Sequence, residues 1–160
     1  MIVGLCFQHA QAAKVENHHD SFNGYTLGAP ISSYPTLKLV KKWSAEDVQE
    51  VEEYENPGEA LTVNGVSFLK IRYRFADGLL ESIRLVYHGR ENREKLVQWI
   101  ETQYGKLTSF ERKMVNQLEL RGEKMSITLS YSFSHQEGTL WFISTELNHR
   151  LSDSIASMPD

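Results

Sequence analysis

Six histidines are the first residues to weigh for chemistry. Adjacent His18 and His19 could share a metal ion, but a metal site needs further ligands held at a fixed spacing. No histidine pair stands at helical i, i+4 spacing, so this pair reads as part of a solvated lead-in and no metal is expected. His88 closes a strand-like run and His135 sits in a turn-like one. Either could serve as a general base, but no Ser, Cys or carboxylate stands beside it at a motif spacing. The single cysteine, Cys6, excludes an internal disulfide and a cysteine-based zinc site. The glycines of "NGYTLGAP" and "NPGEALTVNG" match neither GxGxxG nor GxxxxGK[ST]. They read as turn formers, and no cofactor is expected. No catalytic set emerges, and the balance leans away from an enzyme.

The candidate binding residues are Trp43, Arg72, Arg74 and Arg84. The three arginines and Lys70 alternate with apolar residues, so they should project together from one face of a hairpin and could bind an anion or a polar partner. The acidic run "VQEVEEYE" offers Glu50, Glu52, Glu53 and Glu55 as cross-strand partners, each opposite-charge pair contributing about 0.2–1 kcal/mol. Structural pairing is the favoured reading of the patch. Trp43 has the least obvious packing role, which makes it the candidate contact residue.

The elements that must position these residues follow from periodicity. In "VSFLKIRYRFADGLLESIRLVYHG", Leu69, Ile71, Tyr73 and Phe75 alternate with Lys70, Arg72 and Arg74, as in a half-buried strand. Ala76-Asp77-Gly78 reads as a three-residue loop, with Phe75 paired to Leu79, Ile71 to Ile83 and Leu69 to Leu85. Asn64-Gly65 is the strongest short hairpin signal in the chain. A turn at Tyr34-Pro35 precedes a strand through Leu37 and Leu39, and another strand spans Val48–Tyr54. The period then changes: Leu96, Val97, Ile100 and Tyr104 share a helical face, with Asn92 as the start cap and Gly105 as the end. Three strands follow, over Lys113–Arg121, Met125–Phe133 and Thr139–Leu147, with a turn at Gln136-Glu137-Gly138. Together these predict an α+β fold, a mainly antiparallel sheet of about five to seven strands with one principal helix packed on one face.

The chain has 160 residues and a formal net charge of -4, which suits one domain without a dominant basic surface for nucleic acid. No run is long and apolar enough for a membrane-spanning helix. Residues Ile2 to Phe7 are apolar, and Ala10-Gln11-Ala12 is a small-x-small signal-peptidase pattern. The reading is a signal peptide over 1–12 whose charged front end is supplied by a translation start upstream of Met1. A flexible lead-in over 13–21, a single domain over 22–147 and a tail over 148–160 complete the division. The expected location is periplasmic or secreted.

The segments "FNGYTLGAPISSYPTLKLV", "NGVSFLKIRYRFADGLLESIRLVYHGRENREKLVQWIETQYGKL" and "ITLSYSF" carry a resemblance. Phe22 and Gly24, then Tyr73, Phe75, Gly78 and Leu80, then Gly89, Asn92, Leu96, Tyr104 and Gly105, resemble a pattern of uncharacterised small exported proteins of Gram-negative bacteria. The resemblance covers most of Phe22–Leu147. It implies export and a single domain, and it transfers no activity.

Two functional readings follow. The first is an exported, non-enzymatic module that binds a protein or another component of the cell envelope. The alternative is a small periplasmic hydrolase or ligand-binding protein with scattered site residues, drawing on His88, His135 and the basic face.

Overall fold

The computed structural model describes residues 20–45, 49–114 and 116–148. The expected leader over 1–12, His18 and His19 of the lead-in, Val48 and the tail beyond Asn148 lie outside the described residues. In chain order the elements are β1 (Ser21–Phe22), β2 (Tyr25–Thr26), a 3-10 turn (Ile31–Ser33), β3 (Lys38–Ala45), β4 (Gln49–Glu55), β5 (Thr62–Val63), β6 (Val66–Ala76) and β7 (Leu79–His88), then α1 (Arg90–Tyr104), α2 (Ser109–Lys113), β8 (Gln117–Arg121), β9 (Met125–Ser132) and β10 (Glu137–Ser144). The fold is α+β and mostly antiparallel sheet. The main sheet has eight strands, in the order β3-β4-β6-β7-β10-β9-β8 with β5 pairing beside β6, and β1 and β2 form a separate ribbon. The total exceeds the expected number because β1, β2 and β5 are two-residue strands, too short for a period-two pattern to reveal.

The central hairpin forms as its alternation predicts, but with another register. Its loop is the two-residue Asp77-Gly78, both at positive φ, so Ala76 pairs with Leu79, Tyr73 with Ile83 and Ile71 with Leu85. The twist of such a turn matches that of the flanking strands. Beside the turn the shift is one residue; a bulge at Glu81 adds a second, so beyond it the shift is even and Ile71, Tyr73, Ile83 and Leu85 keep the apolar face. Leu69 is displaced: a bulge between Phe68 and Lys70 turns it out to 54% exposure, and Phe68 takes its place in the core. Asn64-Gly65 forms its expected turn, and Asn23-Gly24, whose glycine reads as a turn former, forms another of the same kind.

Helix α1 starts at Arg90 behind Gly89, not at an Asn92 cap. The Asn92 amide instead donates back to the His88 carbonyl and to that of Ser67, tying the first turn to the hairpin. Gly105, at φ 99°, ends the helix as expected. Leu96, Val97 and Ile100 are buried in the core cluster with Tyr73, Ile83, Leu85, Ile127, Leu129, Leu140 and Phe142. The predicted strand at Lys113 gives way to α2, whose Thr108 hydroxyl accepts from the Glu111 amide while the Glu111 carboxylate accepts from the Thr108 amide. The last turn runs over 133–136, so Phe133 is exposed and Glu137 and Gly138 belong to β10. Leu39 pairs with Tyr54 but is exposed, beside a bulge at Val40 in the edge strand β3.

Candidate functional site

The expected binding residues come together on the sheet face opposite the core. Arg72 lies across from Arg84, Arg84 across from Trp141, and Arg74 across from Glu53. The arginines are engaged there. Arg72 pairs with Glu55 at 2.6 Å and Glu53 at 3.4 Å, and Arg74 with Glu81 at 3.1 Å. The Arg84 guanidinium sits 5.4 Å from the Trp141 ring centre, and that of Arg74 5.7 Å from the Trp43 ring, which Lys41 also approaches at 5.1 Å. Trp43 lies within β3. Glu50 and Glu52 serve another cation: both contact Lys42 of β3, at 2.7 and 3.1 Å. Alternation explains the split, because Glu53 and Glu55 point to one face of β4 and Glu50 and Glu52 to the other. Two cations of the basic patch, Arg72 and Arg74, are thus neutralised by carboxylates within the fold.

The histidines offer less. His135 Nδ1 lies 3.0 Å from the hydroxyls of both Ser132 and Ser134, on an exposed turn. Among the described residues no carboxylate contacts the ring, so the general-base arrangement of a hydrolytic triad is incomplete. His88 is exposed at the end of β7. Among the described residues no group of His, Cys, Asp and Glu could hold a metal ion, and no helix is long and apolar enough to cross a membrane.

A concave site lies elsewhere. A groove of about 540 Å³ is bounded by Ser21, Phe22 and Asn23 on one side, Val63 and Asn64 on another, and Trp99, Gln103 and Tyr104 of α1. The two Asn-Gly turns form two of its walls. Each places its asparagine at positive φ, 50° for Asn23 and 51° for Asn64, a conformation asparagine tolerates better than most residues. Trp99 and Gln103 stand four residues apart, so one helical face presents both. The Trp99 ring is fixed by three neighbours nearly perpendicular to it: Phe22 at 86°, Phe142 at 86° and Tyr104 at 82°. Phe22 in turn stacks on Phe142 at 5.0 Å. Beneath Trp99 a smaller hollow continues toward Phe68, Leu96 and Leu140.

Asn23 is anchored. Its amide donates to Glu59, whose carboxylate also accepts the Tyr73 hydroxyl, fixing the first turn to the main sheet. The Asn64 and Gln103 amides and the Ser21 hydroxyl carry no such bond to any described residue. Tyr104 is the lining's ionisable group, and burial pushes its phenol up to about 12. Among the described residues the lining therefore holds no charged side chain at neutral pH. Its described side chains can bind and orient a polar, uncharged molecule.

Sequence reasoning missed this site. Trp99 was legible as lying near the edge of the helical core face, and Asn23-Gly24 carried the same turn signal as Asn64-Gly65. Nothing in the sequence placed the two turns side by side. No known protein family, curated protein or solved structure matches the chain.

Proposed function

We propose that the chain is an exported, non-enzymatic binding module of the cell envelope, with the groove at Trp99 as its site. The observation that carries the reading is a concave site with aromatic walls, lined among the described residues by polar, uncharged and aromatic side chains. The Ala10-Gln11-Ala12 pattern and the resemblance to exported proteins support the location. We also read α1 as the principal helix, laid over one face of the sheet, on the strength of its buried Leu96, Val97 and Ile100.

The test is retention from a native envelope extract containing its proteins, glycans and lipids. Immobilised protein should hold back a component that the Trp99→Ala variant does not. Retention that is absent, or indifferent to Trp99, overturns the reading. Export is tested separately, by N-terminal sequencing of protein made in its native host with the upstream region intact. A mature start near Ala13 is expected, and retention of residues 1–12 overturns it.

A further inference from the structure

We infer that the groove takes a neutral saccharide segment, with the Trp99 indole as the apolar platform for a sugar ring and the Asn64 and Gln103 amides as partners for its hydroxyls. The inference rests on the binding-module reading above and names its ligand class.

Charge is the first discriminator. Among the described residues no Lys, Arg, His, Asp or Glu lines the groove, so none of them compensates a phosphate, carboxylate or ammonium taken out of water. Nucleic acid is disfavoured on the same ground, since its affinity comes from cations meeting phosphates. Polarity is the second. Ser21, Asn23, Asn64, Gln103 and Tyr104 all carry hydrogen-bonding side chains. An amide both donates and accepts, as a sugar hydroxyl does, and a lipid chain would leave these groups without partners. Shape is the third. Trp99 is held by three perpendicular rings, so its plane is set before a ligand arrives and little freedom is lost on binding. A sugar ring presents an apolar C–H face to such a surface and its hydroxyls to the rim. A volume of about 540 Å³ lies within the range of about 300–1,000 Å³ typical of small-molecule sites and accommodates more than one ring. A peptide is the weaker candidate. Peptides are commonly bound by extending a sheet edge, and the strands bordering the groove, β1 and β5, are each two residues long.

The test uses the full chain carrying Trp43→Phe and Trp141→Phe, which leaves Trp99 as the sole tryptophan. It is titrated with neutral oligosaccharides of two to four rings covering gluco, galacto, manno and N-acetylhexosamine units, and with a neutral Gly/Ser/Gln peptide. Calorimetry on the unsubstituted protein repeats each titration, so an unstable double variant does not decide the outcome. At least one oligosaccharide should shift Trp99 emission saturably. Asn64→Gly, which keeps a residue suited to positive φ, and Gln103→Ala, on the exposed helix surface, should each weaken binding about fivefold to tenfold with unchanged circular dichroism. Silence across the oligosaccharides in both measurements overturns the inference, as does binding of the peptide alone. If envelope retention still depends on Trp99 while the oligosaccharides are silent, the saccharide assignment falls and the binding module stands. If retention also fails, both fall.

Discussion

The ring of Tyr87 lies across the bare Cα of Gly138. The two residues are direct partners in the β7–β10 ladder, and the Tyr87 hydroxyl passes over the glycine to donate to the Ser130 carbonyl of β9 at 2.7 Å. Three strands are thereby pinned by one side chain, which is also stacked against Tyr131. A methyl group at Gly138 would collide with both the Tyr87 ring and the Ser130 carbonyl. Gly138→Ala should therefore cost about 3 kcal/mol, at the upper end of overpacking. Tyr87→Phe, which loses only the hydrogen bond, should cost about 1 kcal/mol. Urea denaturation of the two variants measures the contrast.

Alkaline pH should unfold the chain. Tyr73 and Tyr87 are fully buried, and burial raises both phenols, with the Glu59 carboxylate adding to the effect at Tyr73. Below about pH 10 both phenols are protonated folded and unfolded, so neither contributes a pH dependence. Above it the unfolded chain loses protons that the folded chain keeps, and stability falls by about 1.4 kcal/mol per pH unit for each group. Tyrosinate absorbance should rise in a cooperative step at the unfolding pH. A gradual rise with the fold intact would contradict the assignment.

Glu52 should titrate abnormally low. The Tyr54 hydroxyl donates to its carboxylate at 2.8 Å, and Lys42 adds a second favourable contact. The contribution to stability is present above the ordinary carboxylate range and is lost as pH falls through the depressed value. Tyr54→Phe removes the largest cause, so the Glu52 carboxyl should move upward in an NMR titration.

The ion pairs of the basic face should differ sharply in worth. Glu55 is half-exposed at its contact with Arg72, and Glu55→Gln should change stability by about 0.5 kcal/mol or less. Glu81 is the extra residue of a bulge between Leu80 and Ser82 and is buried, bonded to the Ser82 hydroxyl and paired with Arg74. Glu81→Ala leaves the half-buried Arg74 without its carboxylate and should cost about 2 kcal/mol. Thermal unfolding of both variants decides between them.

Period-two and period-3.6 patterns were enough to find the central hairpin, β9 and α1, because each buries one face over many residues. They could not place what depends on single residues. The bulges at Leu69 and Glu81 shift register without altering composition. The start of α1 is set by Gly89 and not by the better intrinsic cap, Asn92, whose amide the preceding strand recruits. Helix α2 was legible in Thr108 and Glu111, three residues apart, but its five residues are too few to show an amphipathic period. The basic face was readable, and so was part of its neutralisation. Glu81 was not, since its pairing with Arg74 exists only because a bulge turns it to that face. The groove was the least legible feature, because its walls come from three segments that tertiary packing alone brings together.

The β7–β10 seam joins residues further apart in sequence than any other neighbouring strands of the main sheet. On one side of it β3, β4, β6 and β7 follow one another through nearby connections. On the other, β8, β9 and β10 form their own meander. Each half can assemble from local contacts, whereas the seam requires closing a loop that contains both helices and two strands. That closure carries the largest loop-closure cost of any pairing in the main sheet. Until it happens β7 and β10 are both open edges, able to pair with another chain. The same seam carries Tyr87 over Gly138 and Arg84 over Trp141, so the contacts that mark correct closure are formed by side chains that a slipped pairing would separate.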